Sequence, residues 1–293
     1  MTPANGARKG ALLILLSAVL WGTVGTIQTL LPASVSSLSL GAVRLAISSL
    51  ALVTIVILRG GFRLTPTWSW KLAFLAAAGL AISQLAFLSG IRLTGVAVGT
   101  MVSMGSAPIF SALFDAFLQK EQFSRSWYFA TLLSVSGILL LALGGTDEVQ
   151  INPLGILLTL LSGFSYTVMT LANKRLLASH PPLTVLAVES SIAVLLIFPL
   201  FFTADFSWLA TPMGLGIALY LGLVTSALTH IIFAYGLQIV SVHNAATLTL
   251  AEPLTAALLG ILVVGEQLNL AAFLGMALIF SGLLILTLYS PRR

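Results

Sequence analysis

Long apolar runs, separated by short polar gaps, constrain this chain more than any other feature of its sequence. Ten runs fill most of the 293 residues, approximately 10–31, 38–58, 70–91, 96–118, 126–144, 153–173, 183–203, 214–238, 244–264 and 268–289. A hydrocarbon core about 30 Å thick takes about 20 apolar residues per helix, so each run is long enough for one crossing. A membrane-spanning β-strand would alternate polar and apolar residues and be about half as long. The pattern predicts an all-α membrane protein with ten transmembrane helices.

The composition excludes several classes of function. Only 7% of the residues are charged, against about 25% in an average soluble domain, which leaves no room for a folded extramembrane domain. The net charge of +5 comes from cations in short gaps rather than from a basic patch, which excludes nucleic-acid binding. The absence of cysteine excludes disulfides, thiol catalysis and iron–sulfur clusters. The three histidines lack the spacing of a metal site and the chain has no phosphate-binding loop, so we expect no cofactor, no metal and no enzymatic activity.

The cations are distributed one-sidedly between the gaps. Eleven lie in gaps that would share one side of the membrane: Arg8, Lys9, Arg59, Arg63, Lys71, Lys120, Arg125, Lys174, Arg175, Arg292 and Arg293. The alternate gaps hold only Arg92, together with acidic residues. Because Lys and Arg are retained in cytoplasmic loops, we predict a multi-pass protein of the inner (plasma) membrane with both termini in the cytoplasm. Asp115, close to the inner end of the fourth run, is expected to pair with Lys120 or Arg125 in water.

The two halves of the chain resemble each other when one is shifted along the other. A shift of 145 residues pairs Arg44 with Glu189, Pro108 with Pro253, Glu121 with Glu266 and Gln122 with Gln267. Each half would contain five spans, an odd number, so the second half must be inverted relative to the first, as in many secondary transporters. The sequence therefore predicts two inverted five-helix repeats, 1–148 and 149–293.

Proline motifs at matching places carry a resemblance to a known family. The second half has Glu252-Pro253 followed by Gly265-Glu266, and the first half has Ala107-Pro108 and Lys120-Glu121 at the matching places. With ten spans in two halves, these motifs resemble the EamA-type exporters of the drug/metabolite transporter superfamily. Within that superfamily the chain is similar to the YddG-type exporters of aromatic amino acids and of cationic compounds such as paraquat. The resemblance implies that spans five and ten are structural and lie outside the cavity. Because Ala107 replaces the acid in the first half, a role for this carboxylate can exist only in the ninth span.

Four mid-span residues form repeat-related pairs, Trp21 with Tyr166 and Gln84 with His230. We expect these four side chains to converge near the pseudo-symmetry axis. A pocket with an indole, a phenol and two hydrogen-bonding side chains suits an amphipathic solute such as an amino acid. Its ring faces would also bind a cationic drug.

Glu252 and His230 form the candidate pH-sensitive element. At about 1.5 Å per residue, both lie roughly 12 Å below the cytoplasmic face on sequential helices. Glu252 could exchange a proton and couple transport to the proton gradient, or it could be a fixed charge beside the histidine. It could equally satisfy backbone groups that Pro253 leaves unpaired. Thr249, one turn from Glu252, and its repeat partner Met104 are further candidates for the substrate site.

Arg44 and Glu189 are candidate charges at the mouths of the cavity. The inversion places Arg44 near the outside and Glu189 near the cytoplasm, so we do not expect them to pair. Arg44 could instead extend to the outer headgroups. Pro108 and Pro253 are candidate hinges, because each interrupts the helical hydrogen-bond ladder of its span.

The sequence favours a secondary transporter that works by alternating access. Its substrates would be small amphipathic metabolites, amino acids including aromatic ones, and cationic drugs, and its partners would be that small molecule and the lipid bilayer. An uncoupled channel or facilitator is the alternative, and a membrane-embedded enzyme is disfavoured because the sequence has no catalytic cluster. A monomer fits the sequence, which leaves open the oligomeric state, the exact substrate and the coupling ion.

Overall fold

The chain is all-helical in the part that the structure covers. The computed structural model describes residues 3–32, 34–64, 66–94, 96–119, 123–143, 152–264 and 269–288. Within these ranges there is no strand, which confirms the all-α class. Twelve α-helices follow one another there: α1 (Pro3–Gln28), α2 (Ser37–Leu58), α3 (Trp70–Thr94), α4 (Val96–Phe114), α5 (Arg125–Leu143), α6 (Pro153–Leu177), α7 (Pro182–Ile197), α8 (Pro212–Leu219), α9 (Thr229–Ile239), α10 (Val242–Leu248), α11 (Ala251–Leu259) and α12 (Leu270–Leu288).

Many of these helices are long and apolar enough to cross a membrane. Seven helical rods in the described ranges meet that requirement: Gly6–Gln28, Leu38–Leu58, Trp70–Ile91, Pro153–Leu177, Pro182–Phe202, Pro212–Ile239 and Val242–Val263. Two shorter apolar helices cover Val102–Phe117 and Phe273–Leu286. The chain is therefore a multi-pass membrane protein, and the number of ten spans stays a prediction. Several residues of the sequence argument lie outside the described ranges: Lys120, Glu121, Gln122, Gly265, Glu266, Gln267, Arg292, Arg293 and the segment 144–151.

Local sequence explains where several helices begin and end. The side chain of Asn152 accepts hydrogen bonds from the backbone N–H groups of Leu154 and Gly155, and it thereby caps α6 at its first turn. At the end of α2, Gly60 and Gly61 adopt φ angles of 99° and 86°. Residues other than glycine rarely adopt this left-handed backbone conformation, so the glycine pair ends the helix and turns the chain.

Helices of the first half pack against helices of the second half, and each of these contacts recurs with the two halves exchanged. Helix α3 packs along α6 and α1 along α9, while α4 packs on α6 and α1 on α11. Helix α2 packs on α7, and α5 runs along α12. Glycines allow the close approaches, since a Cβ atom on Gly90 would lie 3.0 Å from the backbone oxygen of Gly155 and one on Gly236 would lie 3.1 Å from that of Gly10. These contacts build a bundle in which α1 and α6 each touch helices of the other half.

Helix interruptions occur in the rods that carry the prolines. The ninth apolar run is divided into α10 and α11, with Thr249 and Leu250 between them and Pro253 in the first turn of α11. Helix α4, in contrast, continues through Pro108 and passes into a π-helical turn at Asp115–Gln119. The break in the second half therefore precedes its proline, whereas the first half remains helical around its own.

Candidate functional site

Trp21 lies in an aromatic cluster inside the bundle. Its side chain on α1 is 8% exposed. The indole meets the ring of His230 edge to face, with centroids 5.3 Å apart, and it contacts Phe233 at the same centroid distance. The neighbouring Gly22 brings α1 close to α11, because a Cβ atom there would lie 2.8 Å from the backbone oxygen of Glu252. Helix α1 thus places its indole against α9 and its backbone at Gly22 close to α11.

Charged side chains from α2 and α11 lie near this cluster. Arg44 on α2 is within electrostatic reach of Glu252 on α11 and of His230 on α9. Arg44, Glu252 and His230 are all partly buried. Arg44 and Glu252 carry unlike charges, which interact more strongly in the apolar bundle than in water, but the two side chains form no ion pair in the described part of the chain.

The ring of His230 has a defined donor. Its Nδ1 atom lies 2.7 Å from the backbone oxygen of Ser226. A carbonyl oxygen can only accept, so Nδ1 carries the hydrogen and donates it, and Nε2 of the neutral ring is left as an acceptor. The backbone of the π-helical segment just before α9, Tyr220–Leu228, therefore fixes the orientation of the imidazole against Trp21.

Tyr166 supplies a phenol hydroxyl on the same side of the bundle. The hydroxyl is buried and lies beside the side chain of Thr170, one turn along α6. Glu252 and Glu189 are both within electrostatic reach of it. The hydroxyl is thus a donor available next to two carboxyl groups.

These residues form a compact set with complementary chemistry. Arg44 can bind a carboxylate, Glu252 can bind an ammonium group, and the rings of Trp21, Tyr166 and His230 can contact an apolar or aromatic body. The five residues lie on α2, α11, α1, α6 and α9. Because these five residues lie on helices from both halves, a movement of one half against the other would change the distances between them.

The remaining candidate lining residues occupy other positions. Gln84 lies in a crevice between α2, α3 and α7, where its Nε2 atom would lie 2.7 Å from a Cβ atom on Gly41. Met104 packs against the largest apolar cluster of the bundle. Thr249 is buried, and its hydroxyl donates to the backbone oxygen of Ala246. No hydrogen bond joins any of the three to Trp21 or His230 in the described part of the chain, and their role in binding stays a prediction.

Glu189 is a residue of α7, its side chain faces α6, and it is only 2% exposed. The side-chain amide of Asn173 on α6 donates to its Oε2 atom at 2.9 Å. Arg44 and Glu189 form no ion pair with each other in the described part of the chain. The predicted positions of both at the mouths of a cavity stay predictions.

Sequence reasoning missed a buried hydrogen-bonded pair of Asp115 and His243. The expectation that Asp115 lies in water is wrong, because its side chain is 1% exposed. Its Oδ2 atom lies 2.7 Å from Nδ1 of His243 and accepts the backbone N–H of the same residue at 3.3 Å. The rings of Phe123 and Trp127 meet the imidazole edge to face. The pair ties the π-helical turn after α4 to the start of α10, and no local pattern connects two residues that are 128 positions apart.

An all-α, multi-pass membrane bundle with polar groups collected in its interior defines a membrane transporter. The chain belongs to the EamA-like transporter family, which matches residues 8–143 and again residues 153–288. This family is part of the drug/metabolite transporter superfamily. Its members are transporters and not enzymes, so the chain is a transporter.

Two of the named relatives are similar over almost the whole chain, and a third is similar over about two thirds of it. The transporter YwfM of Bacillus subtilis is 39% identical over 97% of this chain and 95% of its own length. The inner membrane transporter YicL of Salmonella typhimurium is 30% identical over 99% and 98% of the two chains. The threonine/homoserine exporter RhtA of Escherichia coli is 26% identical over 68% of each. A crystal structure with 21% sequence identity superposes with a TM-score of 0.81 over 95% of this chain and 96% of the other, which confirms the fold.

Proposed function

We propose that the chain is a secondary transporter that exports small amphipathic metabolites by alternating access between two inverted five-helix halves, 1–148 and 149–293. Two observations support the repeat. The EamA-like family matches the chain twice, and both bounds of the second match lie 145 residues after those of the first. The helix contacts also recur with the halves exchanged, α3 on α6 as α1 on α9, and α4 on α6 as α1 on α11. A polar set at the interface of such halves is where secondary transporters bind substrate.

The substrates that fit this set best are amino acids. The observation that carries this proposal is the placement of Arg44 and Glu252 within electrostatic reach of each other beside Trp21 and His230. A zwitterion would present its carboxylate to the guanidinium and its ammonium group to the carboxylate, while its side chain contacts the rings. The name of the relative RhtA, a threonine/homoserine exporter, supports the same class. The finer prediction is that the substrates include aromatic amino acids and cationic drugs, as in the YddG-type exporters.

Glu252 acts in this proposal as a fixed charge that binds substrate. The cationic Arg44 within electrostatic reach favours the ionised form of Glu252, whereas burial in the apolar bundle opposes it, and in this proposal Glu252 is ionised. In the alternative, Glu252 itself exchanges the coupling proton. Infrared spectra of Glu252→Gln and Glu189→Gln distinguish the two cases. The proposed location is the inner membrane with both termini in the cytoplasm, and the inner membrane transporter YicL supports the location.

Three probes that differ by one charged group test the zwitterion site in proteoliposomes. Counterflow of radiolabelled L-phenylalanine is measured against competition by phenethylamine, which lacks the carboxylate, and by 3-phenylpropionate, which lacks the ammonium group. Glu252→Gln should slow L-phenylalanine counterflow about tenfold or more, since a hydrogen bond to a charged group contributes about 1.5–3 kcal/mol. The same variant should leave competition by 3-phenylpropionate unchanged. Arg44→Gln should show the opposite selectivity and retain competition by phenethylamine.

Asp205 provides the matched control for these variants. It is exposed, and the backbone N–H and the hydroxyl of Ser207 both donate to it, which holds the pKa of that carboxyl below its usual value. Asp205→Asn therefore removes one ionised carboxylate outside the bundle and should leave counterflow unchanged. Equal loss for all three probes in Glu252→Gln and Arg44→Gln would assign both residues to folding. An uncoupled facilitator would exchange L-phenylalanine and fail to accumulate it under any ion gradient.

A further inference from the structure

Two buried oxygen atoms in one side-chain pair have no hydrogen-bond partner. Glu189 and Asn173 are 2% and 6% exposed. The amide nitrogen of Asn173 donates to Oε2 of Glu189 at 2.9 Å, whereas Oε1 of Glu189 and Oδ1 of Asn173 are buried without a partner in the described part of the chain. Buried polar atoms in proteins are nearly always paired, so this pair requires a hydrogen donor or a cation that the side chains themselves do not supply.

The cationic side chains on the packed helices are directed elsewhere. On α2, Arg44 is within electrostatic reach of Glu252 and His230. On α6, Lys174 binds backbone oxygens at the end of α9, among them that of Val240 at 2.9 Å, and Arg175 is exposed.

The remaining titratable groups around Glu189 are few. Lys71 stands at the beginning of α3, and the side chain of Arg92 at the other end of α3 lies outside the described residues. On α9, Tyr235 is exposed and the ring of His230 donates to Ser226. On α6, the Tyr166 hydroxyl is within electrostatic reach of Glu189. Glu189 therefore has no ion-pair partner among the described residues.

Binding of a proton is the simplest way to give both unpartnered oxygen atoms of this pair a hydrogen bond. An ionised carboxylate that is buried without a cation has a large desolvation cost, whereas a protonated carboxyl group is neutral and gains an O–H donor. We propose that Glu189 and Asn173 form a proton-binding site in which Asn173 holds the carboxyl group and accepts its hydrogen in the protonated state. Acidic side chains inside membrane bundles are common members of proton relays.

Tyr166 connects this site to the candidate substrate site. Its buried hydroxyl, beside Thr170, is within electrostatic reach of both Glu189 and Glu252. A change of charge on Glu189 therefore changes the field at the hydroxyl beside the substrate carboxylate and ammonium positions. This coupling role rests on the proposed transport function, whereas proton binding by Glu189 does not. Glu189 would be the group that couples export to the proton gradient, and Glu252 would be the group that binds the solute.

The first test needs no substrate. Infrared difference spectra of the purified full chain in nanodiscs, recorded between alkaline and acidic pH, detect the C=O stretch of protonated carboxyl groups. We expect a band that is lost in Glu189→Gln and shifted in Asn173→Ala, with Asp205→Asn as the control that keeps it. Glu189→Gln is chosen because its amide can donate to Oδ1 of Asn173 and accept from its nitrogen, as the protonated acid would. Retention of the band in Glu189→Gln, or its loss in Glu252→Gln instead, overturns the assignment.

The second test measures coupling with L-phenylalanine in proteoliposomes. One pH unit is a factor of about ten in proton activity, so a coupled carrier accumulates the amino acid up to about tenfold per unit of gradient and per proton. Glu189→Gln should abolish this accumulation while counterflow of L-phenylalanine stays at the wild-type rate. Wild-type accumulation in Glu189→Gln overturns the coupling role, and accumulation driven by a sodium gradient identifies a metal cation rather than a proton at the pair. If the wild type moves no amino acid, the proposed function fails while the infrared result still decides proton binding.

Discussion

At the scale of single residues, Trp21 is the side chain whose role is easiest to separate from packing. Its indole contacts His230 and Phe233. If it also contacts the solute, Trp21→Ala should weaken transport of L-tryptophan and L-phenylalanine more than that of L-threonine, by about 2- to 10-fold, since the lost ring contact is about 0.5–1.5 kcal/mol. Trp70→Ala is the control, because Trp70 is 59% exposed. Competition by the three amino acids in counterflow measures the effect, and equal loss for all three together with low yield assigns Trp21 to the fold.

Single residues also show which side-chain contacts the sequence predicts and which it does not. Trp21 and His230 are mid-span by simple counting, and in the structure their rings are in contact. The pairing of Asp115 with His243 was not predictable, because neither the repeat nor helical spacing relates the two residues. The bond between Asn173 and Glu189 is also missed, since a hairpin contact depends on how α6 and α7 rotate about their axes. Periodicity indicates depth in the membrane, whereas side-chain partners depend on that rotation.

At the scale of helices, the pair α5 and α12 tests whether a helix stabilises the bundle without lining the site. A Cβ atom on Gly137 would lie 2.5 Å from the backbone oxygen of Gly275. Gly137→Ala should therefore lower stability by about 1–3 kcal/mol, the usual cost of overpacking. Gly216→Ala is the matched control, because Gly216 is helical and has nothing within 4 Å of the added atom, and it should gain up to about 1 kcal/mol of helix propensity. Thermal unfolding in detergent, followed by tryptophan fluorescence, measures both.

The transport assay completes this comparison. If α5 and α12 are a scaffold outside the cavity, counterflow per folded molecule should be unchanged in Gly137→Ala. A variant that is stable and slow would place these helices at the transport path instead. The helices follow from the apolar runs, and an interruption near Pro253 follows from the proline. The position of the break before Pro253 and the π-helical turn at Asp115–Gln119 do not follow from the sequence, because these depend on which backbone groups neighbouring helices satisfy.

At the scale of the whole molecule, the exchanged contacts explain how two similar halves make one bundle. Gly90 approaches Gly155 as Gly236 approaches Gly10, and Gly137 approaches Gly275 as Gly282 approaches Ala130. An arrangement in which each contact recurs with the halves exchanged can rock between two states in which the two halves exchange their conformations, with the site at the interface. Arg44 from the first half and Glu252 from the second would then separate or approach as the halves move, which links binding to the direction of opening.

The proposed inversion of the halves predicts the side of the membrane on which each loop lies. Because eleven cations fall in one set of gaps and only Arg92 in the other, reporters fused after Lys71, Arg125, Arg175 and Arg293 should lie in the cytoplasm. A reporter in the segment 145–152 should lie outside. Fusions to a fluorescent protein, which is active in the cytoplasm, and to alkaline phosphatase, which is active outside, give opposite signals at each site and control for expression. A cytoplasmic segment 145–152 would make the number of spans before it even, and two halves in the same orientation could not form the exchanged interface proposed for transport.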